Sequence, residues 1–320
     1  MSATDVPAPA RTVRMAAGPP GTREWVRKAM TAAGAEIVDY DEAEALVWTD
    51  DAHGSGDQPG PVALRAILDA NPGIKWVQLP WAGVEPYAEV FDTTHLWTCG
   101  KGVYARPVAE HALALTLAGL REIKRYATAS EWTEGSGISL MDGKVTIFGG
   151  GGIAIELIKL LQPFGCEITV VRRHPEPMEG VHRVLDYDTR YDALRGADVI
   201  VVACALTPET TGLISAVELE LMEPHAWLVN VARGQHVVTE DLLVGLRGDV
   251  IGGAALDVTS PEPLPAGHPL WELPNCLITP HTGNTEDMAV PLLSERITTN
   301  VLRYAAGEEL IGKVDPSLGY

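Results

Sequence analysis

Cysteine is scarce in this chain and has no organised spacing. Cys99, Cys166, Cys204 and Cys276 form no CxxC pair and mostly sit in apolar runs. That excludes a disulfide framework and a cysteine-based metal site, and it fits reduced core thiols of a cytoplasmic protein. Basic residues are also few: 24 Lys and Arg against 43 Asp and Glu leave a net charge of −19. No basic stripe offsets repulsion from phosphates, so nucleic acid is not an expected partner. No apolar run is long enough to span a bilayer, and no membrane partner is expected. The first ten residues, MSATDVPAPA, lack a basic n-region and an apolar h-region. They read as a disordered tail rather than a secretory signal.

What is present is an α/β pattern. The 320 residues, 46% of them hydrophobic, are too many for one small core and suit two domains. The stretch from Lys144 to Arg173, KVTIFGGGGIAIELIKLLQPFGCEITVVRR, organises the rest. Val145 to Phe148 form an apolar, β-branched run of the kind that makes a buried parallel strand. Four glycines follow, and then Ile153, Leu157, Leu161 and Phe164 recur at helical spacing. Gly165 is placed to stop that helix, and Glu167 to Arg172 read as a second strand. Strand, Gly149-x-Gly151-x-x-Ala154 turn, helix and strand together make a dinucleotide-binding fingerprint. Gly149 permits the tight turn, Gly151 lets the backbone approach a pyrophosphate, and Ala154 is small enough for close helix–strand packing. Free amides and the helix dipole then hold the diphosphate. An acidic residue about 20 residues past the glycines accepts from the ribose 2′-hydroxyl in NAD-preferring sites. Here that place falls on Arg172, followed by Arg173. Two guanidinium groups suit the 2′-phosphate of NADP, so NADP(H) is the expected cofactor, with NAD(H) possible.

Before this unit, short strands are expected at 13–16, 36–38, 45–48, 75–79 and 96–99, and helices at 22–33, 61–70 and 84–91. The turn Ala82-Gly83-Val84, between a strand end and a helix start, reads on its own as ordinary, although its small residues would present free amides. Residues 104–121 read as a long, mostly buried helix, a bridge between domains or an oligomer contact. Glu110-His111 on it shows no convergent partner and reads as structural. After Arg173, apolar strands are expected at 197–204, 226–231, 249–256 and 275–279, and a final helix at 286–306 that Pro291 kinks or delays. Polar residues recur at the carboxyl ends of these strands, where open α/β sheets bind ligands. Three complement one another. Arg233 is a permanent planar cation suited to a carboxylate and its adjacent carbonyl oxygen. His281 exchanges a proton near neutral pH. Glu262 is a carboxylate able to orient His281 and favour its protonated form.

The segments IKWVQLPWAGVEPY, VAEHALALTLAGLR, the glycine turn, LTPETTGLI, NVARG, GAALDVTSPEPLPAGHPLW and NCLITPHTGN occur in this order. Together they make the chain resemble the D-isomer-specific 2-hydroxyacid dehydrogenase family over nearly its whole length. The resemblance implies two Rossmann-like doubly wound domains, the nucleotide-binding one inserted into a flavodoxin-like substrate domain. The expected division is 1–102 plus 287–320 for the substrate (catalytic) domain and 103–286 for the dinucleotide-binding domain, with a cleft between them that closes over substrate. It implies that Arg233 binds the substrate carboxylate, His281 is the general acid/base, and Glu262 pairs with His281. The 82–84 turn becomes a carboxylate seat (Ala82, Gly83, Val84). Cofactor contacts are implied for Gly149, Gly151, Gly152, Ile153, Leu206, Val231, Ala232 and Gly283, with Asp257 beside the nicotinamide. A homodimer is implied as well.

Three departures stand out: Ala154 for a third glycine, Ala205 for a common proline, and Arg172 for the acidic residue of NAD-preferring members. The last, with no long extension after the final helix and so no regulatory domain expected, points to NADPH-linked reduction of small 2-oxo acids such as glyoxylate or hydroxypyruvate. Trp81, Tyr104 and Trp271 are candidates to border the substrate. The alternatives are an NAD-dependent dehydrogenase working oxidatively, and a nucleotide-sensing regulator on the same fold without catalysis.

Overall fold

The apolar runs of the sequence become short parallel strands joined by helices. In chain order the elements are β1 (Arg14–Gly18), α1 (Glu24–Ala32), β2 (Glu36–Ile37), β3 (Ala45–Trp48), α2 (Gly60–Ala70), β4 (Trp76–Gln78), β5 (Leu96–Thr98) and α3 (Ala105–Leu120). Then come α4 (Ile123–Ala127), β6 (Lys144–Phe148), α5 (Gly152–Leu161), β7 (Glu167–Val171), β8 (Arg183–Leu185), α6 (Tyr191–Leu194) and β9 (Val199–Val202). The chain continues through α7 (Ala216–Leu221), β10 (Trp227–Asn230), α8 (Thr239–Arg247), β11 (Gly253–Leu256), β12 (Cys276–Ile278) and α9 (Glu286–Ala306). This is a computed structural model that describes residues 11–49 and 60–316, so the expectation for the first ten residues lies outside it. Among the described residues no helix is long and apolar enough to cross a membrane.

The chain forms two units, Met1–Tyr104 with Glu286–Tyr320, and Ala105–Thr285. In the first, a parallel sheet runs β2-β1-β3-β4-β5. That is the flavodoxin-like order. Alternate residues of each strand face opposite sides. Met15, Ala17, Ala45 and Val47 pack with Val26, Ala29 and Met30 of α1 and Leu293, Ile297 and Val301 of α9. Ala16, Leu46, Trp48 and Val77 pack with Leu64 and Leu68 of α2 on the other face. The final helix starts at Glu286 and runs through Pro291 to Ala306, so the proline does not delay its start. The helix expected at 84–91 is instead a single 3-10 turn, Glu85–Tyr87, with Pro86 in its first positions. Its amides bond three residues back, Tyr87 to Val84 and Ala88 to Glu85, and the ladder never reaches α-helical spacing.

In the second unit a seven-stranded parallel sheet runs β12-β11-β10-β9-β6-β7-β8. The order reverses between β6 and β9, which is the switch point where ligands of open α/β sheets bind. Ile200, Val202 and Leu228 face one core, with Leu219 of α7 and Leu242 and Leu246 of α8. Val199, Val201 and Val229 face the other, with Ala109, Ala112 and Leu115 of α3 and Leu157 and Leu161 of α5. Both faces being covered explains why these strands read as continuous apolar runs. The fold class expected from the sequence is the one found.

Candidate active site

β6 leads directly into Gly149, whose φ of 113° lies in the region open to glycine. A Cβ there would sit 2.5 Å from the Ala203 carbonyl oxygen at the end of β9, so the switch-point strands meet at a glycine by necessity. Gly151 caps α5, and a Cβ built on it meets nothing within 4 Å. An open backbone at a helix N-terminus, with Gly152 and Ile153 in its first turn, is a cradle that fits a diphosphate. At the end of β7 the Arg172 side chain folds across this turn, its Cδ 2.9 Å from where a Gly150 Cβ would be. Arg173 instead pairs with Glu209 at 2.8 Å, an exposed contact that Thr207 Oγ1 joins at 3.1 Å. The two arginines expected to act together are therefore placed differently. Leu206 lies in the loop after β9, which Thr210 ties down by donating to the Ala205 carbonyl (2.8 Å).

Val231 and Ala232 are buried at the end of β10 and lead into Arg233. The Arg233 turn is held through its own carbonyl. That oxygen accepts from Asn230 Nδ2 (2.9 Å), from the His236 amide (3.2 Å) and from His236 Nδ1 (3.0 Å). Asn230 and His236 are both fully buried. Next to Arg233, a Cβ on Gly234 would fall 1.9 Å from the Thr259 carbonyl oxygen, a close approach that only glycine allows. This contact sets the arginine turn against the loop that carries Glu262.

Glu262 Oε1 lies 2.7 Å from His281 Nδ1. This hydrogen bond raises the pKa of His281, while burial and Arg233 work against the rise. Burial pushes Glu262 up and is the largest single influence, but the hydrogen bond and charge of His281, the Thr259 backbone and the charge of Arg233 together outweigh it, and the carboxyl titrates below its ordinary range. His281 itself sits at φ 53°, strained for a residue with a Cβ. Asp257 explains how that conformation is held. Its carboxylate accepts from Thr279 Oγ1 (2.6 Å), the Thr282 amide (2.8 Å), the Gly283 amide (2.9 Å) and His111 Nε2 (3.1 Å). Its carbonyl accepts from the His281 amide (2.8 Å). Burial would raise this acid, but the hydrogen bonds, led by His111, take it down to about 2.

His111 is therefore not the partnerless helix residue that the sequence suggests. Asp257 is 146 positions away in the chain, and no local spacing signals the pair. Asn230, His236 and Thr279 escape a sequence reading for a different reason: each lies within three positions of Arg233 or His281 and engages a backbone group of it, which residue type alone does not signal. Ala82, Gly83 and Val84 lie in the first unit, ahead of a 3-10 turn rather than a helix, so no long helix dipole reinforces their amides. Trp81 and Tyr104 are neighbours there, ring centres 6.3 Å apart, whereas Trp271 is in the second unit and donates to the Pro265 carbonyl. Among the described residues no group of His, Cys, Asp or Glu is arranged to hold a metal.

Residues 111–283 match the family model described as D-isomer specific 2-hydroxyacid dehydrogenase, NAD binding domain. An uncharacterized protein of Corynebacterium melassecola is 37% identical over 260 residues, covering 79% of this chain and 86% of that one. A glyoxylate/hydroxypyruvate reductase A of Serratia proteamaculans is 31% identical over 220 residues, 68% of this chain and 69% of its own. Among solved structures, a D-isomer specific 2-hydroxyacid dehydrogenase of Xanthobacter autotrophicus in complex with NADPH and MES superposes with a TM-score of 0.82. It shares 26% identity over 97% of this chain and all of that one.

Proposed function

Because the chain belongs to the D-isomer specific 2-hydroxyacid dehydrogenase family, and so is an NAD(P)-dependent oxidoreductase, we propose that it is an NADPH-preferring reductase of small 2-oxo acids of the glyoxylate or hydroxypyruvate type. The observation that carries the reaction is the 2.7 Å contact between Glu262 and His281, with Arg233 close enough to influence both. Gly149 to Ile153 at the glycine turn would hold the diphosphate of a reduced nicotinamide dinucleotide, which when bound would supply the hydride. Arg233 binds the substrate carboxylate in bidentate fashion and polarises the adjacent keto oxygen. As negative charge develops on that oxygen, protonated His281 delivers a proton to it, and the product is a 2-hydroxy acid. Glu262 favours the charged imidazole and aims it by holding Nδ1, which leaves Nε2 for the substrate.

Arg172 supports the preference for NADPH. It crosses the glycine turn at the end of β7, where a 2′-phosphate would lie, whereas Arg173 is already engaged by Glu209. The enzyme is proposed to work as a cytoplasmic homodimer. Initial rates of NADPH and NADH oxidation with glyoxylate, hydroxypyruvate, pyruvate and phenylpyruvate test the reading. Faster turnover with NADPH and the two small acids is expected. Preference for NADH would remove the role given to Arg172, and no turnover with any of the four would remove the substrate class.

A further inference from the structure

The helix residue His111 has geometry that the reaction above does not use. Its Nε2 lies 3.1 Å from Asp257 Oδ1 and 3.0 Å from Thr279 Oγ1, and Thr279 Oγ1 in turn donates to the same Asp257 oxygen at 2.6 Å. Since Thr279 gives its only proton to Asp257, its oxygen is an acceptor toward His111. His111 must therefore carry its proton on Nε2 and share it between the two oxygens. The triangle closes over a carboxylate that also receives the amides of Thr282 and Gly283. Those residues directly follow His281, whose own amide is held by the Asp257 and Thr279 carbonyls at 2.8 and 3.0 Å. A histidine at φ 53° relaxes out of that conformation unless its surroundings over-determine it. Here the surroundings are Asp257, and the corner of Asp257 that comes from outside the turn is His111, fixed on α3.

We propose that His111 is a positioning residue for His281: through Asp257 and Thr279 it locks the 279–283 turn so that the imidazole of His281 stays against Glu262. The proposal rests on His281 being the proton donor, and it assigns His111 a role in that reaction exerted through Asp257 and Thr279. Rigid support of this kind matters because misplacing a reacting group by about 1 Å costs on the order of a hundredfold in rate. The charged groups that act on His281 are Glu262, Asp257 and Arg233. Of these, Glu262 has the largest effect, and it depends on a short contact that a loosened turn would lengthen.

The test is an NMR titration of His281 in the unliganded protein, with its signal assigned by loss in a His281→Ala variant, alongside steady-state reduction of glyoxylate by NADPH. Expected for His111→Leu is a His281 pKa that falls toward the ordinary value. A roughly ten- to hundredfold loss of kcat should accompany it with little change in KM. His111→Gln, which keeps a donor near the Nε2 position, should restore most of both. Should the leucine variant not fold, Thr279→Val removes the opposite corner of the triangle with little change in shape and should lower the His281 pKa in the same direction. A His281 pKa that stays the same or rises in a folded variant would overturn the proposal, as would a fall in kcat that the glutamine does not relieve. Absence of turnover in the wild-type protein would count against the proposed reaction, while the titration would still decide the role of His111.

Discussion

At His281 the hydrogen bond that Nδ1 donates to Glu262 favours the charged form, and the charged form is the proton donor in reduction. That form is present below the raised pKa, so kcat for reduction should hold at lower pH and fall as pH rises through a value above 6.5. Glu262→Gln removes the negative charge that favours the imidazolium while keeping an acceptor for Nδ1, and the falling limb of the kcat profile should move to lower pH. A limb that stays in place would mean another group is being read. His281→Ala should reduce turnover by roughly two to four decades. It should leave the tightness of NADPH binding, measured by fluorescence, nearly unchanged. Asp257 has the opposite sign. Its pKa is depressed from 3.8 to about 2, so its stabilising effect is complete above the unfolded value and is lost as pH falls toward 2. The difference corresponds to about 2 kcal/mol. Asp257→Asn cannot accept from four donors and should lower the urea midpoint at neutral pH while flattening the dependence of stability on pH between those two values. An unchanged acid limb would show that Asp257 is not the group responsible.

Elements were legible where the signal is local. The strand 145–148, the glycine turn and the amphipathic residues of α5 all lie within one short stretch, and each residue type has a steric reason to be there. At 84–91 the strand-then-small-residue spacing resembles a helix start, whereas Pro86 and i−3 bonding keep the segment to one 3-10 turn. The basic end of β7 was legible as a pair, but not that Glu209, 36 positions on, takes Arg173. Arg172→Ala should therefore raise the NADPH dissociation constant by about tenfold or more, the effect of losing a charge-assisted pair of roughly 1.5–3 kcal/mol, with little change for NADH. Arg173→Ala should have a smaller effect. Equal effects of the two variants, read by titration of cofactor fluorescence, would contradict the placement of Arg172 over the turn.

For the molecule as a whole, the hydropathy pattern discloses strands alternating with helices, whereas the pairing of the chain's two ends is legible only through the family resemblance. α9 belongs to the same unit as β1 to β5, and its Leu293, Ile297, Val301 and Ala305 complete the core that α1 begins with Val26, Ala29 and Met30. A buried network fastens it there. Asn300 donates from Nδ2 to Gln78 Oε1 and the Ile311 carbonyl, both at 2.9 Å, and Thr98 donates to the same Gln78 oxygen at 2.8 Å. None of these partners is near another in sequence except Asn300 and Ile311, so hydropathy alone could not find them. A chain ended after Thr285 would expose the α1 side of that core and leave Gln78 short of a donor. Each large apolar side chain of α9 that goes missing removes about 1.5–3 kcal/mol, and a domain has only about 5–15 kcal/mol to lose. The truncated chain should be cut readily by protease within 11–104, whereas residues 105–285, whose two cores are drawn entirely from that range, should persist as a resistant fragment. Resistance of the N-terminal segment in the truncated chain would mean that α9 is not needed to close the first core.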